Sequence, residues 1–249
     1  GKEIKKNNTV IVDGENGEQP YVVKELYPQV EGVAVCIKGN FDSEIKNNII
    51  IIPTSTRTKE QYDRIDLGIG AFEYALVCNG GLLIKQGKSD ADWYEESLKL
   101  IEESIEDIEK SLLVLEKDER RKFELRFIEK LFVFTKCNNP GDVVNELKQQ
   151  LDCSKVNVFN NGEKVYVVPV NLSKGMALKR LRKILDIDYI IAAGDSEFDI
   201  TMVNEADFGI VPNGFVEKYD LVCKAKEMAG NAVFSEELLE ECLKIRRSK

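Results

Sequence analysis

The sequence predicts an α/β protein in which a parallel sheet is interrupted by a smaller α+β unit. Two apolar segments, Ile49–Pro53 and residues 190–193, have the continuous apolar character of strands buried on both faces. Each is followed by polar residues and then by a helical pattern. Between them lie a charge-rich helical stretch and a strand–helix–strand–strand block. We therefore predict that these two strands are neighbours in the sheet of a core domain formed by residues 1–86 and 172–249, with residues 87–171 inserted as a second domain.

Composition narrows the possible chemistry. The 249 residues carry a net charge of −9 with a pI near 4.9, which disfavours nucleic acid as the main partner because both surfaces would be negative. The chain contains no histidine, so Ser-His-Asp hydrolysis and histidine-ligated zinc are excluded. Six cysteines without a C-x-x-C pair indicate reduced core residues.

The same composition predicts where the protein works. No apolar run approaches the length of about 20 residues that a membrane span requires. The amino terminus lacks the apolar core of a signal peptide. We therefore expect a soluble, cytoplasmic protein without a membrane partner, while the sequence leaves its oligomeric state open.

The amino-terminal third contains three predicted strands. Residues 9–12 and 33–37 are short apolar runs, and Ile49–Pro53 contains four isoleucines bounded by a proline. The last strand ends in a hydroxyl-rich segment that includes Ser55, and such hydroxyls can hydrogen-bond a phosphate oxygen. The alternative is an ordinary helix cap next to a surface arginine.

The middle of the chain alternates between strands and helices. Residues 75–84 predict a hairpin whose turn contains Asn79 and Gly80, and residues 90–133 predict an amphipathic helix. A strand, a helix, two strands and a further helix follow. That last helix begins near Lys174, and a lysine in a first turn opposes the helix dipole unless an anion lies beside it.

Two carboxylates follow the strand at residues 190–193. Gly194 ends this strand, so Asp195 should lie at the carboxyl edge of the sheet, where α/β proteins bind ligands. Asp199 falls near the start of the next helix. Two carboxylates placed in this way suit Mg²⁺, which takes one or two carboxylates together with waters and a substrate phosphate. The alternative is a turn aspartate followed by a helix cap. Residues 225–245 predict the last helix.

Three of these segments resemble motifs of the haloacid dehalogenase (HAD) phosphatase superfamily. Residues 194–199 match its G-D-x-x-x-D motif, the segment of Ser55 and Arg57 resembles its T-G-R motif, and Lys174 matches its motif lysine. The likeness is greatest to branches with a large cap, such as the Cof-like and sucrose-phosphate phosphatases. It implies a HAD-like Rossmannoid core of parallel strands, with residues 87–171 as an inserted α+β cap.

The resemblance also implies an activity and roles for individual residues. The activity would be Mg²⁺-dependent hydrolysis of a small phosphorylated metabolite, such as a sugar phosphate, through an aspartyl-phosphate. The implied catalytic residues are Ser55, Lys174 and Asp199, and the implied metal ligands are Asp195 and Asp199. The implied substrate-binding residues are Ser55, Thr56, Arg57, Asn79 and Lys174.

The nucleophile of this superfamily lies in a D-x-D-x-T motif, and the sequence has no intact copy. The nearest segment begins at Asp13, where Glu15 and Gly17 stand at the second and third motif positions. A second interpretation places the nucleophile upstream of Gly1, and a third is that it is absent. The alternative function is therefore a HAD-fold sensor or interaction protein that binds a phosphate ligand without turnover. A phosphomutase fits the large cap less well.

Overall fold

The structure is a computed structural model that divides into two compact units. The first unit is formed by Gly1–Asp90 with Lys174–Lys249, and the second by Ala91–Ser173. The residues that the structure describes are 2–6, 9–13, 32–37, 49–65 and 71–248.

The helices and strands of the described residues are as follows. The strands are β1 (Lys2–Lys6), β2 (Thr9–Asp13), β3 (Gly32–Ile37), β4 (Ile49–Pro53), β5 (Tyr74–Val77), β6 (Leu82–Lys85), β7 (Lys88–Ser89), β8 (Arg126–Ile128), β9 (Phe132–Lys136), β10 (Val156–Asn161), β11 (Lys164–Pro169), β12 (Tyr189–Gly194), β13 (Phe208–Val211) and β14 (Ala225–Glu227). The α-helices are α1 (Lys59–Tyr62), α2 (Ala91–Leu100), α3 (Ile105–Glu116), α4 (Pro140–Gln150), α5 (Lys174–Leu185), α6 (Ile200–Glu205), α7 (Phe215–Lys218) and α8 (Phe234–Ser248).

The centre of the first unit is a five-stranded sheet in the order β14–β13–β12–β3–β4. Strands β12, β13 and β14 are parallel, as predicted, but β3 runs antiparallel to both of its neighbours. The expectation that β4 and β12 are adjacent was therefore wrong. An apolar pattern predicts that a strand is buried but not its direction, so β3 could not be ordered from the sequence. Because β4 and β12 are each antiparallel to β3, they run in the same direction and end at the same edge.

Apolar residues of this sheet pack against α8. Val33, Ile51 and Ile191 form one buried cluster with Leu238 and Cys242 of the helix. The predicted helix over residues 225–245 was partly wrong, because β14 occupies its start and α8 begins only at Phe234. The three residues of β14 extend the sheet by pairing in parallel with β13.

The second unit is an antiparallel sheet in the order β10–β11–β9–β8 with helices against it. Val133, Val158 and Val167 of the sheet pack with Ile108 of α3 and Val143 of α4. The long helix predicted over residues 90–133 was wrong in its extent, because α3 ends at Glu116 and β8 pairs with β9. A three-residue strand is too short to have an apolar period of its own.

The cysteines agree only in part with the prediction of core thiols. Cys78, Cys137 and Cys242 are buried free cysteines, but Cys153 is exposed and Cys223 is half-buried. Burial raises the pKa of the Cys242 thiol to about 12. None of the helices in the described residues has both the length and the apolar character needed to cross a membrane.

Candidate active site

Polar side chains follow β4 at the edge where β4 and β12 both end. The Ser55 N–H donates to Leu76 O at 2.8 Å, and Ser55 Oγ accepts from the Arg57 N–H at 3.2 Å. Ser55 is 2% exposed, whereas Thr56 and Arg57 are half-buried. The cap of α1 is Thr58, whose hydroxyl accepts from the Gln61 N–H in a capping box. The helix cap that the sequence allowed as an alternative is therefore formed by Thr58, and Ser55 is not the capping residue.

The loop that contains Asn79 is hydrogen-bonded to the segment that follows β4. Residues Cys78, Asn79 and Gly80 all have positive φ, which turns the chain sharply between β5 and β6. The Asn79 N–H donates to Ser55 O at 3.0 Å, and the Cys78 N–H donates to Arg57 O at 2.8 Å. The predicted Asn-Gly hairpin turn is therefore confirmed. Its backbone lies beside Ser55, and α5 also packs against this loop.

Lys174 is the first residue of α5, and its ammonium is buried in an ion pair. Lys174 Nζ lies 2.5 Å from Asp199 Oδ1, and the two side chains are 3% and 0% exposed. A lysine in a first turn opposes the helix dipole. The carboxylate of Asp199 compensates for this by placing a negative charge beside the same turn. The anion expected near Lys174 is therefore, in this structure, a residue of the chain itself.

The second oxygen of Asp199 holds the loop after β12. Asp199 Oδ2 accepts hydrogen bonds from the Asp195 N–H at 3.3 Å, from the Ser196 N–H at 3.1 Å and from the Ser196 hydroxyl at 2.7 Å. The loop folds so tightly that a Cβ on Gly194 would lie 2.1 Å from the Asp199 Cβ. Only glycine fits there, which explains why Gly194 precedes the two aspartates.

Three parts of the site meet beside Gly32, the first residue of β3. A Cβ added to Gly32 would lie 2.5 Å from Thr54 O, 2.8 Å from Lys174 Nζ and 3.0 Å from Asp199 Oδ1. The end of β4, the start of α5 and the loop after β12 therefore converge on one point. The strand that separates β4 from β12 contributes a glycine at this point, and no carboxylate.

The two predicted metal ligands differ in their environment. Asp199 has one oxygen on Lys174 and the other on the loop, so its geometry is that of a counter-ion and cap. Asp195 is exposed at the carboxyl end of β12. In the described part of the chain, no group of three His, Cys, Asp or Glu side chains could hold a metal ion. Asp195 fits the binding of Mg²⁺ through one carboxylate, with waters and a phosphate as the other ligands.

The predicted nucleophile candidate is placed elsewhere. Asp13 ends β2, which pairs with β1 in a separate two-stranded sheet in register Lys2↔Asp13. Glu15 and Gly17 lie outside the described residues. Of the predicted residues, the structure therefore brings together Ser55 with Asn79, and Lys174 with Asp199, but it does not place Asp13 in the five-stranded sheet.

Sequence reasoning missed Gly32, Ser196 and Thr201. Ser196 could have been found, because a serine three residues before an acidic residue is the signature of a capping box, and this box is present. Gly32 and Thr201 could not, since their contacts are with residues distant in the sequence. No local pattern marks such residues.

Comparison with known proteins identifies the class of this α/β fold. A family model described as haloacid dehalogenase-like hydrolase matches residues 86–214, more than half of the chain. The chain belongs to this family. A model of the SpoIIIAG C-terminal domain matches residues 1–56, the segment that contains β3 and β4.

Individual proteins support the same assignment. Phosphoglycolate phosphatase from Methanopyrus kandleri is 25% identical over 206 residues, which cover 80% of this chain and 86% of that protein. The sucrose-phosphatase of Synechocystis sp. PCC6803, solved with sucrose and phosphate, has a TM-score of 0.64 at 16% identity and covers 96% of this chain and 94% of its own. A Thermoplasma acidophilum protein has a TM-score of 0.52 at 16% identity, covering 81% and 84% of the two chains. These matches confirm the predicted resemblance to the haloacid dehalogenase superfamily.

Proposed function

We propose that the protein hydrolyses the phosphate monoester of a small metabolite in a Mg²⁺-dependent reaction. The observation that carries this proposal is the convergence of Thr54, Lys174 and Asp199 beside Gly32, at the edge where β4 and β12 end. A phosphate group at this edge would meet the Ser55 hydroxyl and the Lys174 ammonium. Similarity to proteins named phosphoglycolate phosphatase and sucrose-phosphatase favours a small, polar phosphorylated substrate, such as a sugar phosphate.

Each residue has a separate task in this proposal. Ser55 Oγ accepts from the Arg57 N–H, so its own hydrogen can be donated to a phosphoryl oxygen. Lys174 neutralises negative charge on the phosphoryl group, and Asp199 orients Lys174. Arg57, Thr56 and Asn79 line the same edge as substrate contacts. Mg²⁺ held by Asp195 would supply further neutralisation of the phosphoryl oxygens.

The proposed reaction passes through an aspartyl-phosphate. A carboxylate attacks phosphorus and releases the alcohol, and water then releases phosphate, so that one difficult displacement is divided into two easier ones. Among the described residues, Asp195 and Asp199 have other roles in this proposal and Asp13 is in another sheet, so the attacking carboxylate is not assigned.

The same observation favours a second candidate function, the binding of a phosphate ligand without turnover. Two measurements separate the two functions: hydrolysis of p-nitrophenyl phosphate with and without Mg²⁺, and calorimetric titration with inorganic phosphate. Mg²⁺-dependent turnover that is lost in Ser55→Ala would support the phosphatase. Phosphate binding without turnover would support the sensor. Absence of both would contradict the placement of a phosphate site at this edge.

A further inference from the structure

The first turn of α5 is joined to the N-cap and first turn of α6 by two adjacent contacts. One is the ion pair of Lys174 with Asp199. The other is the hydrogen bond from the Gly175 N–H to Thr201 Oγ1, at 3.1 Å. On α5 the two contacts are made by the adjacent residues Lys174 and Gly175. On the other side they are made by Asp199 and Thr201, which are two positions apart.

The Gly175 contact brings the two backbones together. A Cβ added to Gly175 would lie 2.2 Å from Thr201 O and 2.9 Å from the Thr201 Cβ. The amide of Gly175 belongs to the first turn of α5, where N–H groups have no acceptor within the helix. The hydroxyl of Thr201 therefore serves as a cap for α5, although it comes from another helix.

We infer that Thr201 is a positioning residue for Lys174 in the proposed phosphatase reaction. The ion pair fixes the ammonium end of Lys174, whereas the Thr201 hydroxyl fixes the backbone from which that side chain extends. If the hydroxyl is removed, the first turn of α5 can shift, and the ammonium then moves relative to the phosphoryl group. Displacement of a catalytic group by about 1 Å costs up to about a hundredfold in rate. This inference rests on the proposed function.

The test compares Thr201→Val, which keeps the shape and removes the acceptor, with Thr201→Ser, which keeps the acceptor. We expect Thr201→Val to lower kcat for p-nitrophenyl phosphate about tenfold with little change in KM, because Lys174 acts on the developing charge. Thr201→Ser should behave like the wild type. Thr201→Ala serves as a second variant without the acceptor.

A readout without turnover separates this inference from the proposed function. The ammonium signal of Lys174 is followed by NMR in protein labelled with ¹⁵N-lysine, and Lys174→Met assigns it. We expect the signal to shift in Thr201→Val and Thr201→Ala but not in Thr201→Ser. If this pattern is found in a protein that has no phosphatase activity, the positioning of Lys174 by Thr201 stands and the proposed function fails. An unchanged signal in Thr201→Val would overturn the inference whatever the kinetics.

Discussion

Lys174 Nζ and Asp199 Oδ1 form a buried ion pair at 2.5 Å, in which neither side chain is more than 3% exposed. The two residues belong to segments that are 25 positions apart in the sequence. Removing one member of a buried pair leaves the other charge without compensation, which costs far more than the pair itself contributes.

Asp199→Asn should therefore be strongly destabilising. We expect the free energy of unfolding to fall by about 3–5 kcal/mol, because the ammonium of Lys174 would face a neutral amide in a buried site. Urea unfolding followed by circular dichroism measures this change. Glu197→Gln, at an exposed position in the same loop, is the control and should change stability little. Combining Asp199→Asn with Lys174→Met should restore part of the loss, and a double variant no better than Asp199→Asn would contradict the pairing.

Gly32→Ala tests the convergence of the site on β3. The new methyl group would lie 2.5 Å from Thr54 O and 2.8 Å from Lys174 Nζ, so we expect a loss of about 1–3 kcal/mol through overpacking. Gly141→Ala is the matched control, because nothing lies within 4 Å of a Cβ there, and a glycine in a helix is replaced by alanine at no steric cost. Equal stability of the two variants would show that β3 is not packed against Lys174.

The positions of most elements could be predicted because their signals are local. Continuous apolar character identified β4 and β12, and the Asn-Gly dipeptide identified the β5–β6 turn. The relation between Lys174 and an anion could also be predicted, since it follows from the helix dipole. The identity of that anion could not, because it depends on how α5 and the loop after β12 approach each other.

The arrangement of the strands depends on pairing, which the sequence does not specify. Strand β3 has an apolar pattern that fits a parallel or an antiparallel neighbour equally well, and only its register with β12 and β4 fixes its direction. The sequence likewise does not specify the contacts of Asp199, which we expected to hold a metal. Its spacing from Asp195 suits a metal ligand, whereas its ion pair with Lys174 depends on how α5 packs beside the loop after β12.

Asp195→Asn tests the proposed metal site. We expect calorimetry to detect Mg²⁺ binding to the wild-type protein in the presence of phosphate and to detect none in the variant, because a neutral amide leaves the cation without a carboxylate ligand. Glu197→Gln removes an exposed carboxylate two residues away and should bind as the wild type does. Wild-type affinity in Asp195→Asn would place the metal at other residues.

The cysteines should differ in reactivity according to their burial. Cys153 is exposed, whereas burial raises the pKa of the Cys137 thiol and raises that of Cys242 to about 12. Since the thiolate is the reactive form, iodoacetamide at pH 8 should modify Cys153 in the folded protein and Cys242 only after unfolding. At pH 9 Cys242 should still escape modification in the folded protein, because burial keeps its thiol from the reagent and pH 9 lies far below its folded pKa. Mass spectrometry locates the label, and rapid modification of Cys242 in folded protein would contradict its burial.

The rate of turnover tests whether the proposed site contains a nucleophile. In the proposed site Ser55 and Lys174 bind and neutralise a phosphate, but Gly32 occupies the convergence point and Asp13 lies in the β1–β2 sheet. Positioning and charge neutralisation do not replace covalent attack. We therefore expect this chain to bind inorganic phosphate and to hydrolyse p-nitrophenyl phosphate slowly, with the same rate in Asp13→Asn.

Two comparisons make this prediction decisive. Asp195→Asn should lower any Mg²⁺-dependent turnover, which separates hydrolysis at this site from a contaminating phosphatase. If Asp13→Asn abolishes turnover while circular dichroism and urea unfolding stay unchanged, Asp13 is the nucleophile, and the β1–β2 sheet must rearrange to bring it to Lys174. Rapid turnover that survives Asp13→Asn and is lost in Asp195→Asn would instead require another carboxylate to reach the convergence point beside Gly32.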